Sequence, residues 1–147
     1  MGNPWRSDDA VGLHVARRLR AEVPGAVEVL EREGEPAGLF ESWEGADALV
    51  VVDAVSSGSP PGSVHRFDAS DEPLPVELFG ASTHALGLGE AVELARALGR
   101  LPRRVVVYGI EGASFEAGEE LSPAVEAAID RVVAEIGEEV RRCTSAC

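Results

Sequence analysis

The chain has no lysine, only two cysteines and an aromatic content of 5%. All 13 basic residues are arginine, against 26 Asp and Glu, so the 147 residues carry a formal net charge of −13. Arginine supplies the same formal charge as lysine, so the missing lysine reads as coding bias and the acidity stands. Such a charge repels phosphate backbones and anionic headgroups, and the arginines are scattered rather than gathered in a stripe, which argues against nucleic acid and membrane surfaces as partners. Cys143 and Cys147 both sit at the C-terminal end, which leaves neither a disulfide framework nor a cysteine cluster for zinc. No apolar run approaches the ~20 residues needed to span a bilayer, and the first twenty residues hold Asp8 and Asp9 instead of a signal-peptide core, so a cytoplasmic location is expected. No HExxH helix and no GxSxG elbow occurs, and the opening glycine loop matches neither dinucleotide nor P-loop spacing; no nucleotide cofactor is expected.

Apolar residues make up 45% of the chain and the mean hydropathy is +0.01, the balance of one globular domain, read as residues 1–142 with a polar tail at 143–147. Ser7 and Asp8 offer capping oxygens to a helix of about Asp9 to Ala21, in which Val11, Val15 and Leu19 recur every four residues. Val27 to Leu30 is β-prone, and a second helix is expected from Pro36 to Trp43. Ala48 to Val52 is a continuous apolar run ending at Asp53, as in a strand covered on both faces at the centre of a sheet. Ser63 to Phe67 mixes polar and apolar residues like an edge strand, and Asp68 to Ser82, with Pro73 and Pro75, reads as loop. A helix from Ala85 to Leu98, a second buried strand from Arg104 to Ile110 and a last helix opened by Ser122-Pro123 complete the series. Strands alternating with helices predict a three-layer α/β/α sandwich with a mostly parallel sheet. The chain opens directly on the loop Gly2-Asn3-Pro4, where such a domain is expected to open on a buried apolar strand; the first central strand, on the order of 5 to 8 residues, is read as missing.

Ligands of open α/β sheets sit outside the carboxyl ends of the strands. Three residues fall there: Asp9 in the loop entering the first helix, Asp53 at the end of the apolar strand, and His84 at the mouth of the third helix. Two carboxylates and an imidazole can hold one divalent metal. Singly each has an ordinary explanation, since Asp8 or Asp9 can be a helix cap, Asp53 a strand-end turn and His84 a residue of a helix start. Gly2, Gly12, Gly34, Gly38, Gly87 and Gly89 cluster beside the same strand ends, where close backbone approach to a site would call for them. His14, beside an apolar helix face, and His65, on an edge strand, read as structural.

Taken in order, Gly2-Asn3, Asp8-Asp9 and Gly12, then Val50-Val51-Val52-Asp53-Ala54, then Ser82-Thr83-His84 with Leu86-Gly87-Leu88, then Gly109-Ile110-Glu111, then Leu121-Ser122-Pro123, resemble the hydrogenase maturation endopeptidases. The resemblance implies a phosphorylase/hydrolase-like fold of five strands with an antiparallel edge. It also implies a protease that removes the C-terminal extension from the large-subunit precursor of a nickel-iron hydrogenase. It implies metal binding by an acidic residue of the first loop, by the Asp of the apolar strand and by the His of the later loop, which are here Asp9, Asp53 and His84. The family's first position is often Glu, so the shorter Asp9 leaves Asp8 in contention, and Gly34-Glu35 stands where a Gly-Gly pair is frequent. One imidazole and two carboxylates are a poor permanent zinc cage, and the resemblance implies nickel supplied by the precursor, with a metal-bound or carboxylate-activated water as nucleophile. The alternatives are an aspartic-type peptidase in which Asp9 and Asp53 share a proton without metal, and a non-catalytic chaperone of the large subunit.

Overall fold

In the computed structural model, residues 1–33, 38–79, 87–118 and 120–145 are described. A 3-10 turn over Ser7–Ala10 leads into α1 (Val11–Arg20). There follow α2 (Leu39–Trp43), β1 (Ala48–Val55), β2 (Val64–Asp68), α3 (Val76–Phe79), α4 (Leu88–Ala97), β3 (Arg104–Glu111) and α5 (Pro123–Ser145). The sheet has the order β1-β3-β2, with β1 parallel to β3 and β2 antiparallel to it. The edge strand expected from its mixed pattern is therefore present and antiparallel.

Side-chain alternation sorts the two apolar strands onto two covered faces. Val52 and Ala54 of β1, with Val106, Tyr108 and Ile110 of β3, face α1 and α5 through Val11, Val15, Leu19, Val125, Ile129, Val132 and Ile136. Val51 and Val55 of β1, with Val105 and Val107 of β3, face Trp43 of α2, Phe79 of α3 and Leu88, Val92 and Ala95 of α4. Helices on both faces of one sheet make the expected three-layer α/β sandwich. The α4 start has its own closure: Gly87 N donates to Glu90 Oε2 at 3.0 Å, turning Glu90 back onto the helix entry.

Several expectations are corrected. β3, not β1, is central among the described strands, and the described sheet has three strands rather than five. Along its other side β1 meets the first residues instead of a strand: Met1 N donates to Val52 O at 2.7 Å, and Gly2 N donates to Arg32 O at 3.2 Å. Val27 to Leu30 has no ladder among the described residues and is not a strand, although Val27 and Val29 still pack on the core. β1 continues three residues past Val52, so that Asp53 lies within the strand, opposite Gly109. The stretch read as loop contains α3, punctuated by Pro75 before it, with Leu78 N bonded to Pro75 O. α5 runs on through Cys143 as far as Ser145, into the stretch read as a polar tail.

Two buried carboxylates hold elements together. Asp8 is 0% exposed and accepts four hydrogen bonds: from Ala113 N (2.8 Å) and Ser114 N (2.9 Å), and from Ser122 N and Ser122 Oγ (both 2.7 Å). Burial alone would raise its pKa; the bonds from Ser122, Ser114 and Ala113 outweigh it and hold the carboxyl below its ordinary value. Glu139 of α5 is buried and accepts from Arg66 Nε (2.8 Å), from Arg66 Nη2 and from Arg104 Nη2 (2.9 Å), tying α5 to β2 and β3. Burial opposes its ionisation too, and the two arginines reverse the balance and lower its pKa.

Asp8→Asn puts an amide N–H₂ among donors and should cost about 1–3 kcal/mol for the group left unsatisfied, read as a fall in urea midpoint. Because the folded pKa of Asp8 is depressed, its contribution is complete above the unfolded value of ~3.9 and is lost as pH falls through the folded one. The wild type should therefore lose stability below about pH 4 more steeply than Asp8→Asn; parallel pH curves would refute the account. Glu139→Ala should cost about 2–3 kcal/mol, less than a fully buried pair because both arginines reach solvent, and a loss under about 0.5 kcal/mol, the level of an exposed pair, would show the cluster to be ornamental.

Candidate functional site

At the carboxyl end of β1 the structure forms a cavity of about 160 Å³ lined by Arg6, Asp9, Asp53, Ala54, Ser56, Leu78, Phe79 and Phe115. It lies where ligands of open α/β sheets are found. Three separate devices position its side chains. Asp53 is fixed by the β1–β3 ladder, and its Oδ1 accepts from Ala54 N at 2.9 Å. Asp9 closes the 3-10 turn, its N bonded to Arg6 O at 3.0 Å, directly after the anchored Asp8. Arg6 is held by Nε donating to Phe115 O at 3.1 Å and by a backbone bridge to Gly118.

The neighbouring carboxylates of the first loop thus have different surroundings. Asp8 is turned inward onto residues 113–122, with both oxygens occupied by donors, and Asp9 is half-buried on the cavity wall. The geometry brings together Asp9 and Asp53 of the three sequence candidates. His84 lies outside the described residues, as do Ser82 and Thr83. Among the described residues no three His, Cys, Asp or Glu side chains gather closely enough to hold a metal ion.

Neither of the other histidines lines the cavity. His14 sits half-buried on α1, where burial and then the nearby Arg17 charge lower its pKa. His65 Nε2 lies 3.4 Å from Glu111 Oε2. Glu111 itself, 2% exposed, accepts from Ser57 N (2.7 Å), Ser57 Oγ (2.7 Å) and Gly58 N (3.1 Å), so it clamps the turn that follows Ser56 on the cavity wall.

The glycines play a part other than the one expected. A Cβ on Gly2 would lie 2.0 Å from Asp9 O, and one on Gly12 would lie 2.3 Å from Met1 O and 2.5 Å from Val52 O. Gly12 thus lets α1 close onto β1, and Gly2 lets the opening residues close onto the 3-10 turn. Gly38 meets nothing within 4 Å, and Gly34 lies outside the described residues.

Sequence reasoning missed Arg6, the α3 wall of Leu78 and Phe79, and Phe115. The signals were present: a cation inside an otherwise acidic loop, and the apolar Val76, Leu78 and Phe79 between Pro75 and Gly80. A second, shallower hollow of about 390 Å³ between the end of α1 and α5 includes Val23, Pro24 and Val140 and has Glu22 as its single carboxylate. It is larger, but it brings together no pair of carboxylates and lies away from the strand ends.

The family model described as hydrogenase maturation protease matches residues 13–139. Among curated relatives, a hydrogenase expression/formation protein HupD from Rhodobacter capsulatus is 29% identical over 144 residues, covering 96% of this chain and 69% of that protein. The hydrogenase 2 maturation protease of Escherichia coli is 29% identical over 140 residues, 92% of this chain and 84% of that protein. Among solved structures, the hydrogenase maturating endopeptidase HybD from E. coli superposes with a TM-score of 0.83 at 26% identity, covering 97% of this chain and 89% of that one. The nickel-iron hydrogenase maturation protease HycI from Thermococcus kodakarensis superposes with a TM-score of 0.74 at 26% identity, covering 95% and 88%. The family model covers most of the chain, and a cavity lined by two carboxylates stands at the end of its sheet; the chain belongs to the hydrogenase maturation proteases, a family of endopeptidases.

Proposed function

We propose that this chain removes the C-terminal extension of a nickel-iron hydrogenase large-subunit precursor, and that Asp9, Asp53 and His84 engage a nickel ion carried by that precursor. The observation that carries the reading is the convergence of Asp9 and Asp53, from two separate elements, on one cavity at the end of β1. Its chemistry suits a metal that arrives with the substrate. Two carboxylates and a single imidazole make a poor permanent zinc cage, but they can complete the coordination of a nickel ion already held by the precursor.

Recognition of the metal then places the scissile peptide bond over the carboxylates, and orientation of this kind converts binding into rate. One carboxylate takes the proton of the attacking water as general base and returns it to the leaving amide nitrogen. No described helix is long and apolar enough to cross a membrane.

Incubation with the cognate precursor, read by intact mass, tests the proposal. The nickel-loaded precursor should shorten, while the nickel-free precursor held with a chelator should stay intact. Asp53→Asn and His84→Ala should each slow shortening by about 100-fold or more, the scale of a lost general base or a lost positioning contact. Equal cleavage of the nickel-free precursor would assign the site to a carboxylate pair sharing a proton. Stoichiometric binding with no loss of mass would make the protein a chaperone.

A further inference from the structure

We propose that Arg6 is a catalytic residue of this site, donating hydrogen bonds to the carbonyl oxygen of the scissile peptide bond as that oxygen gains charge. The proposal rests on the peptidase reading above and adds to it the group that handles the developing oxyanion.

Among the described residues lining the cavity, Arg6 is the one cation, facing the same space as Asp9 and Asp53. Its place is built rather than incidental. Gly118 N donates to Trp5 O at 2.8 Å and Ser7 N donates to Gly118 O at 2.9 Å, so the backbone on both sides of Arg6 is stitched to the segment beyond β3. Ser7 adopts a left-handed φ of 48°, rare outside glycine, and is kept there by its N–H bond and by Ser7 Oγ donating to Glu116 O at 2.9 Å. Strain of this kind persists where the surroundings over-determine it and is concentrated at functional sites.

The side chain is fixed as well. Nε donates to Phe115 O at 3.1 Å, which sets the guanidinium plane. Among the described residues this is its one side-chain hydrogen bond, so the other four N–H donors of the guanidinium remain for a substrate.

The reaction needs such a donor. Water adds through its oxygen to the carbonyl carbon while one of its protons passes to a carboxylate of the pair, and the C=O π electrons move onto the carbonyl oxygen. The C–N bond then breaks as the amide nitrogen takes that proton from the carboxyl group, and the carbonyl re-forms. Between these two events a negative oxygen stands in a cavity that already holds two acids and is walled by Leu78, Phe79 and Phe115. Of the described lining, Arg6 is the side chain whose charge opposes it. A pre-set guanidinium stabilises it without reorganisation, which is the condition under which oxyanion donors act most strongly.

The test compares Arg6→Lys, Arg6→Gln and Arg6→Ala in single-turnover shortening of the precursor, with thermal unfolding recorded for each. Arg6→Gln should lower kcat by about 100-fold to 1000-fold with KM within a few-fold, since the interaction forms in the transition state. Arg6→Lys, which keeps the charge but loses the bond to Phe115, should fall between it and the wild type. Millimolar guanidinium should restore part of the activity of Arg6→Ala. A structural clamp predicts otherwise: Lys and Gln variants equally impaired, activity falling in step with Tm, and no rescue. That pattern, or an Arg6→Gln protein of wild-type kcat, overturns the proposal. Failure of the peptidase reading itself is seen separately, as a wild-type protein that shortens no precursor.

Discussion

The buried carboxylate of Asp8 is the constraint on which the site depends. A charge with no exposure to water is costly unless every oxygen is satisfied, and here four donors from residues 113, 114 and 122 converge on it. Because those donors belong to the segment that follows β3, ionised Asp8 can be accommodated only when that segment is folded against the 3-10 turn. Gly112 is part of the same arrangement: a Cβ there would lie 3.2 Å from Asp8 Cβ and 2.6 Å from the Phe115 ring. Once Asp8 is seated, Asp9 follows in sequence on the cavity wall, and Arg6 and Phe115 are brought into bonding distance.

Three kinds of carboxylate stand out among the described residues. Asp8, Glu111 and Glu139 are buried and serve as ties: to the loop beyond β3, to the turn at Ser57 and Gly58, and between α5 and two strands. Others pair with arginines at the surface, as Glu31 does with Arg17 and Arg20 and Glu44 with Arg100, and contribute little each in high dielectric. Asp9 and Asp53 form the third kind, half-buried and facing a common space. A formal charge of −13 is a property of the whole chain, whereas the fold turns Asp9 and Asp53 toward one cavity.

Legibility from sequence followed the kind of force that sets each feature. The apolar runs at Val50 and Val105, and the four-residue spacing in α1 and α5, are direct imprints of burial, so both faces of the sandwich could be read. The edge position of β2 was legible because an edge tolerates mixed polarity, while its antiparallel direction was implied only by the family resemblance. The centre of the sheet was not: apolar composition reports that β1 is covered, and only ladder partners decide whether a strand is flanked on one side or two. Likewise Asp9 and Asp53 could be named from their positions beside strand ends, whereas the inward turn of Asp8 depends on Ser122, more than a hundred residues away. A pattern confined to neighbouring residues holds no record of such a partner. Arg6 stood out in the sequence only as a cation in an acidic loop, since its meaning comes from Phe115 and from the cavity it shares.

The precision demanded of the two cavity carboxylates is met in different ways, and the difference bears on how the site works. Asp53 is carried inside a strand with two ladder residues beyond it, so its backbone cannot move without breaking the β1–β3 pairing. Opposite it Gly109 leaves the sheet bare, because a Cβ there would stand 2.8 Å from Val55 Cγ1 and 3.4 Å from the Phe79 ring. Phe79 can therefore close down beside Asp53, and with Leu78, Ala54 and Phe115 it gives the acids an apolar surround. Charges in such a setting act over their separation far more strongly than in water. The short helix Val76–Phe79, read from sequence as mere connection, thus lowers the dielectric around Asp9, Asp53 and Arg6.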